Sequence, residues 1–418
     1  MNTARIKAIF ERLAKEVCEI QDDPVTSTRD SETAFSHLPT IRGGEIQPPK
    51  LVEACGQALH EIALITEPEG IWSRSTVDDA VWEFSANIVD LATDRRQAGI
   101  RDAIANVVKR FAEEPSAWTV DVFVYGLHES CAGLNFGKLE FLTEEIGKLP
   151  DGAVSFQDFP AGNQIFARLT TQAINEESVI ERAGGIIDEH LMILNALCSP
   201  GSPSWIQVSR VDQTRRYYSA HRAGRAADAM GPLQTFGHNR RIPLTGTQLG
   251  ALMKEKVGAR VSQMLSSAET EFNLRVLSAY QFAGAACVDA HPERSFLMLA
   301  IALESVVLGR DTKTELTYQL GSRVAHLIGN GLTGRKLVAK TVNDLYDRRS
   351  KIVHVGQYGV SRREAALLHL YCMTALAMLV VSPAFSGFTT SAALEDWFKD
   401  RMLDGPDHFS PQSKTDEL

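Results

Sequence analysis

Apolar residues recur at intervals of three and four through most of this chain, the spacing of helices that bury one face. Residues 1–20 have charged side chains interleaved with apolar ones and predict an amphipathic helix. Residues 51–65 and 77–111 continue the helical pattern. Residues 22–49 are rich in Pro, Ser, Thr, Asp and Gly, which predicts a loop or linker. We therefore expect residues 1–114 to form an N-terminal helical region.

After Pro115 the apolar period changes from that of a helix to that of a strand. Large apolar residues occupy every second position from Trp118 to Val124, which indicates a strand with one buried face. A long helix is expected at residues 176–197. Further strands are predicted at residues 138–142, 153–159, 164–173, 204–210 and 216–220. Residues 115–222 are thus predicted to be a mixed α/β, sheet-containing domain.

The pattern becomes helical again in the C-terminal half. Residues 223–248 are rich in Gly, Pro and basic side chains and predict a linker. Residues 249–403 predict an all-α bundle, and the polar residues 404–418 predict a disordered tail. The expected fold class is therefore α+β and predominantly helical, with an N-terminal helical region, a central sheet-containing domain and a C-terminal bundle.

The most hydrophobic stretch, residues 365–381, is predicted to be a buried helix of that bundle. It is 17 residues long, contains His369 and follows Ser361 and Glu364, which have the spacing of a capping box. A membrane span needs about 20 predominantly apolar residues. We therefore expect no membrane association.

Composition and charge fit an ordinary globular protein. The 418-residue chain carries a net charge of -9, with 44% hydrophobic and 23% charged residues. Residues 293–403 contain 14 Lys and Arg against 10 Asp and Glu, so the C-terminal bundle is mildly basic on an acidic chain. The six cysteines are scattered without a C-x-x-C pair, which favours a reducing cytoplasm. No phosphate-loop, metal-ligand or serine-hydrolase motif is found, so we expect no metal and no cofactor.

Candidate chemistry is concentrated in the ten residues from Leu345 to His354. Val342, Leu345, Arg349 and Ile352 share one helical face, with Arg349 near its centre. A guanidinium keeps its charge, so a partly buried arginine needs a carboxylate, a backbone carbonyl or a phosphate. His354 has a side chain whose ordinary pKa suits proton transfer near neutrality.

Arg349-Ser-Lys-Ile-Val-His354, preceded by Leu-Tyr-Asp, resembles the R-x(4–6)-H signature of HEPN domains, and most of all their Apea-like branch. Ala302-Leu-Glu-Ser305 and Glu315-Leu-Thr-Tyr-Gln-Leu320 are similar to earlier helices of that branch. The resemblance covers residues 293–381, about a quarter of the chain. One departure is Val355, because the branch usually has glycine directly after the histidine.

The resemblance implies a helical bundle that forms a homodimer and, in its catalytic members, a metal-independent endoribonuclease. Many such members act in antiviral defence or toxin systems. Arg349 would hold the RNA phosphate, and His354 would act as acid or base, with Ser350 and Lys351 as candidates for further RNA contacts. Positions five apart on a helix differ by about 140° in direction. Either the helix ends near His354 or a second copy completes the site.

A structural role for the arginine is the alternative. Residues 297–308 are almost wholly apolar apart from Glu304 and Ser305, which predicts a buried helix carrying one carboxylate. Glu304 could pair with Arg349. The domain would then be a non-catalytic RNA-binding or dimerisation module, and the sequence leaves both hypotheses open.

Overall fold

The fold, given by a computed structural model, is α+β and predominantly helical, which confirms the predicted class. The structure describes residues 3–22, 41–42, 45–46, 49–66, 72, 74–89, 96–143, 165–199, 208–210, 218–222, 229–230, 243–267, 270–289, 291–309, 315–355 and 359–403. The predicted strand at 153–159 and the predicted tail at 404–418 lie outside these residues. The chain divides into two units, Met1–Val120 with Thr170–Gly185 and Ser219–Ala229, and Asp121–Leu169 with Ile186–Tyr218 and Met230–Leu418.

Helices dominate the first unit. Its elements before the sheet are α1 (Thr3–Asp22), β1 (Ile41–Arg42), β2 (Glu45–Ile46), α2 (Pro49–Thr66), α3 (Arg74–Val89) and α4 (Arg96–Phe111). Helix α1 packs against the other three and buries its apolar stripe. The ring of Phe10 lies 4.8 Å from that of Phe84 and 6.1 Å from that of Phe111, centroid to centroid. This core is the one expected from the amphipathic pattern of the first 20 residues.

The predicted period-two segment is the longest strand of a sheet. The strands are β3 (Ser116–Tyr125), β4 (Asn135–Phe136), β5 (Leu139–Thr143), β6 (Ile165–Ala173), β7 (Ser209–Arg210), β8 (Tyr218–Arg222) and β9 (Ala229–Met230). Their order is β4-β5-β6-β3-β8-β9, and β7 also pairs with β3. Between β6 and β7 lies α5 (Glu176–Leu197), which has the predicted bounds.

Alternate residues of β3 point to opposite faces of the sheet. Val120, Val122 and Val124 are buried, as their spacing predicts. On the other face Asp121 accepts two hydrogen bonds from Arg168 of β6, at 2.7 and 2.8 Å. The fork geometry of this pair keeps a largely buried carboxylate satisfied.

A bundle of helices forms most of the second unit. These helices are α6 (Gly246–Lys254), α7 (Lys256–Ser266), α8 (Glu271–Val288), α9 (Pro292–Val307), α10 (Leu316–Ile328), α11 (Gly331–Val355), α12 (Arg362–Val381) and α13 (Ser391–Leu403). Helix α12 packs against α7, α8, α9, α10 and α11. The bundle predicted for the C-terminal part of the chain is therefore confirmed.

The capping box predicted before α12 is formed. Ser361 Oγ accepts a hydrogen bond from the Glu364 backbone N–H at 3.1 Å, and Glu364 Oε2 accepts one from the Ser361 N–H at 2.8 Å. Among the described residues α12 is the one helix long and apolar enough to cross a membrane, judged by length and composition. Its contacts with five other helices and the 1% exposure of His369 are those of a bundle helix.

A glycine turn anchors the β4–β5 hairpin to two helices. The Gly137 N–H donates to Ser262 Oγ of α7 at 2.9 Å, and the Lys138 N–H donates to His190 Nε2 of α5 at 3.2 Å. Gly137 has a φ of +58°, and a Cβ there would lie 2.6 Å from the Cβ of Leu265. Glycine is required at this position for both its conformation and its lack of a side chain.

Two arginines hold the C-terminal end of α9. Arg275 Nε donates to the Ser305 carbonyl at 2.6 Å, and its Nη2 donates to the Leu308 carbonyl. Arg323 Nη1 donates to the Val307 carbonyl at 2.8 Å. Cations at a helix C-terminus satisfy carbonyls that have no partner within the helix. These contacts fix the helix that carries Glu304.

Candidate functional site

Helix α11 places Arg349 against the bundle. Val338, Val342 and Leu345 on the same face are buried, and the Arg349 side chain keeps 23% of its exposed area. The apolar stripe drawn from the sequence is therefore the packing face of α11. Arg349 lies at the outer part of that interface, where part of its side chain is exposed although Nε is buried.

Glu304 of α9 is the partner of Arg349. Arg349 Nε lies 3.1 Å from Glu304 Oε1, and Nη2 donates to Oε2 at 3.5 Å. The shorter contact lacks hydrogen-bond geometry, since neither Nε nor Oε1 has a hydrogen-bond partner. The pair is therefore held mainly by charge. The Arg349 guanidinium also lies 5.5 Å from the centroid of the Tyr346 ring, a cation–π distance.

Partial burial shapes the electrostatics of this pair. Burial raises the pKa of the Glu304 carboxyl above its ordinary value, and the positive charge of Arg349 opposes that rise. Burial also raises the pKa of the Tyr346 hydroxyl, and the negative charge of Glu304 adds to the effect. Loss of water therefore outweighs the attraction of the arginine at Glu304.

His354 lies in the last turn of the same helix but on another face. Helix α11 continues to Val355, so Arg349 and His354 differ by about 140° in direction. The His354 side chain is exposed, as is that of Lys351, whereas Ser350 is half-buried. One chain thus brings Arg349 to Glu304 but directs His354 into solvent, away from that pair.

A further arginine beside the predicted site was missed by sequence reasoning. Arg348 Nη2 donates to the Gly359 carbonyl at 2.7 Å, and its Nε lies 3.3 Å from Glu364 Oε1 of α12. The Gly359 N–H donates in turn to Glu293 Oε1 of α9 at 3.2 Å. Arg348 therefore ties α11 to the segment that begins α12. One signal for this contact was present in the sequence. The capping box at Ser361 and Glu364 predicts the start of α12, only a few residues after α11 ends, and so places the Glu364 carboxylate close to the end of α11.

Cysteine and histidine side chains meet elsewhere in the bundle. Cys287 Sγ and His369 Nε2 are 3.6 Å apart. Burial raises the pKa of the Cys287 thiol to about 11 and lowers that of His369. The thiol is thus protonated and the imidazole neutral, which is the opposite of an activated nucleophile. No group of three or more His, Cys, Asp or Glu in the described part of the chain could hold a metal ion.

Comparison with known proteins gives no relative. No family model matches the chain, and neither the curated proteins nor the solved structures contain a match.

Proposed function

We propose that this protein is a metal-independent endoribonuclease of HEPN type that acts as a homodimer in the cytoplasm, in antiviral defence or a toxin-like system. The proposal has its support in the resemblance of residues 293–381. The structural observation that favours it is the exposed position of His354 at the end of α11. An exposed imidazole beside Lys351 is accessible to a ribose-phosphate chain.

In the proposed reaction the ribose 2′-oxygen attacks the adjacent phosphorus. His354 takes the 2′-OH proton while water protonates the leaving 5′-oxygen, or it protonates that oxygen while water takes the 2′-OH proton. Arg349 binds the phosphate oxygens as negative charge grows on them. The bond between phosphorus and the 5′-oxygen breaks as the bond to the 2′-oxygen forms. The products carry a 2′,3′-cyclic phosphate and a 5′-hydroxyl. Ser350 and Lys351 would contribute contacts to the neighbouring backbone.

The proposal requires a second copy of the chain. Arg349 and His354 lie on different faces of one helix, so one helix cannot direct both side chains to one phosphate. Two copies related by a twofold axis could set Arg349 of one beside His354 of the other. An active form would therefore be dimeric.

The test is RNA cleavage in the presence of EDTA by wild type and by His354→Ala. The matched control is His291→Ala, because His291 is also exposed in the same bundle and its side chain makes no capping hydrogen bond. We expect cleavage by wild type and the control, with a loss of at least a hundredfold in His354→Ala at unchanged melting temperature. Equal cleavage by all three would refute the role of His354.

The second candidate is a non-catalytic RNA-binding or dimerisation module, favoured by the Glu304–Arg349 pair. Because Glu304 already pairs with the guanidinium, the arginine would have a structural role at the interface between α9 and α11. This candidate predicts no cleavage in any variant. It also predicts that loss of either charge lowers the free energy of unfolding by more than about 3 kcal/mol.

A further inference from the structure

Glu304 occupies the polar edge of the arginine that the proposed function assigns to RNA phosphate. Its two carboxylate oxygens lie 3.1 and 3.5 Å from Nε and Nη2 of Arg349. A phosphodiester also presents two anionic oxygens to a guanidinium and would use the same edge. Glu304 and an RNA phosphate therefore cannot both occupy this Nε–Nη2 edge of Arg349.

The Glu304–Arg349 pair is loose compared with another arginine–carboxylate pair in the same unit. Arg168 and Asp121 form two hydrogen bonds of 2.7 and 2.8 Å. Arg349 Nε and Glu304 Oε1, by contrast, lack hydrogen-bond geometry despite their proximity. Both side chains also remain partly exposed, at 23% and 21%. Nε and Oε1 are themselves buried at this contact, so an incoming anion must open the loose pair to reach the Nε–Nη2 edge.

We propose that Glu304 is an internal competitor that holds Arg349 until a phosphate of single-stranded RNA displaces it. This regulation rests on the proposed function, because it takes Arg349 as an RNA contact. Without RNA the carboxylate neutralises the cation and keeps it at the α9–α11 interface. With RNA bound, Arg349 exchanges one anion for another, so the arginine is never left unpaired.

The test is the affinity of the full chain for 2′-O-methyl single-stranded RNA, which lacks the nucleophilic hydroxyl and so measures binding without cleavage. Glu304→Gln keeps the shape of the side chain and removes its charge. We expect binding to tighten roughly tenfold, the effect of making one charge-assisted hydrogen bond available to the ligand. In the Glu304→Gln, Arg349→Gln double variant this gain should disappear.

Glu364→Gln is the matched charge control. Glu364 also pairs with an arginine of α11, at 3.3 Å, and glutamine can replace it in the capping box. Any gain common to both variants reflects the loss of a negative charge in general. Affinity equal in Glu304→Gln and Glu364→Gln, or a gain that persists without Arg349, would overturn the proposal.

A measurement on the wild type covers the case in which Glu304→Gln does not fold. The ¹⁵Nε–H resonance of Arg349 should shift when the 2′-O-methyl RNA saturates the protein, and an unchanged resonance would refute the exchange of partners. Cleavage separates this inference from the proposed function. If Glu304→Gln binds RNA more tightly through Arg349 but the protein does not cleave ordinary RNA, Glu304 is still a competitor for Arg349 and the proposed nuclease activity is wrong.

Discussion

Arg348 and Arg349 are neighbours in sequence but bind carboxylates on two different helices, Glu364 of α12 and Glu304 of α9. Consecutive positions on a helix differ by about 100° in direction, which makes this divergence possible. Helix α11 is thereby fixed on both sides of the face that meets the bundle. The end of α11, which carries His354, is held in place by charge as well as by apolar packing.

Removing Arg349 should destabilise the bundle modestly. Arg349→Met leaves the half-buried Glu304 without its cation. Because both side chains are about one-fifth exposed, solvent screens the carboxylate and limits the loss of stability. We expect the free energy of unfolding to fall by about 1 kcal/mol in urea titrations. A loss above about 3 kcal/mol would show that the pair is a buried structural element and would favour the second candidate function.

Arg323→Met should cost more than Arg349→Met. The Arg323 side chain is 6% exposed, pairs with Glu395 at 2.8 Å and donates to the Val307 carbonyl at 2.8 Å. Its loss would leave the half-buried Glu395 carboxylate and a helix-end carbonyl without the buried cation that pairs with both, at a cost of about 3 kcal/mol. Parallel urea titrations of the two variants give the comparison. Equal losses would contradict the ranking by burial.

The Gly137→Ala variant should be strongly destabilised, and Gly133→Ala provides its control. Both glycines have positive φ, +58° and +79°, but only the Gly137 Cβ would meet neighbours, the Leu265 Cβ at 2.6 Å and the His190 ring at 2.7 Å. We expect Gly133→Ala to lower the free energy of unfolding by about 1 kcal/mol through backbone strain alone. Gly137→Ala should lower it by about 2 to 4 kcal/mol, because overpacking adds to the strain. Thermal unfolding of both variants measures the difference. Similar losses would refute the close packing of the hairpin.

His190 should make stability depend on pH in the acid range. Burial lowers its pKa from the ordinary 6.5 to about 4, and its Nε2 accepts the Lys138 N–H as a neutral ring. Between these values the unfolded chain binds a proton that the folded chain does not. Stability should therefore be full above about pH 6.5 and fall as pH decreases toward 4, by on the order of 3 kcal/mol.

Urea titrations from pH 7 to pH 4 measure this dependence. His190→Gln should be less stable than wild type at pH 7 and should show a shallower decline. His326 and His369, whose pKa values burial also lowers, add to the decline, whereas the raised pKa of Glu304 opposes it. The test is therefore the difference in slope between wild type and variant. If the free energy of unfolding falls with pH equally steeply in wild type and variant, His190 is not a source of the pH dependence.

Local patterns predicted much of the fold. The long helix at residues 176–197, the alternating strand after Pro115 and the capping box before α12 all depend on neighbours within a few residues, and all are found. The same reasoning placed Arg349 on the packing face of α11. It also identified Glu304 as its candidate partner, because that carboxylate interrupts an apolar helix.

Long-range contacts could not be read from local spacing. The arginines Arg275 and Arg323 reach carbonyls of α9 from 30 and 16 residues away. The Gly137 turn anchors a hairpin through contacts with His190 and Ser262, which are far along the chain. Such contacts depend on how elements pack, which hydrophobic periodicity does not specify.

A nuclease site shared between two copies of the chain is tested most directly by mixing two inactive variants. Arg349→Gln and His354→Ala are each expected to lack RNA cleavage in EDTA. When the two are unfolded together and refolded, mixed dimers contain one intact pair of Arg349 and His354. We predict recovery of about a quarter of wild-type cleavage, from half of the dimers with one of two sites intact. Wild-type cleavage that is lost in both variants and does not return in the mixture would contradict a shared site.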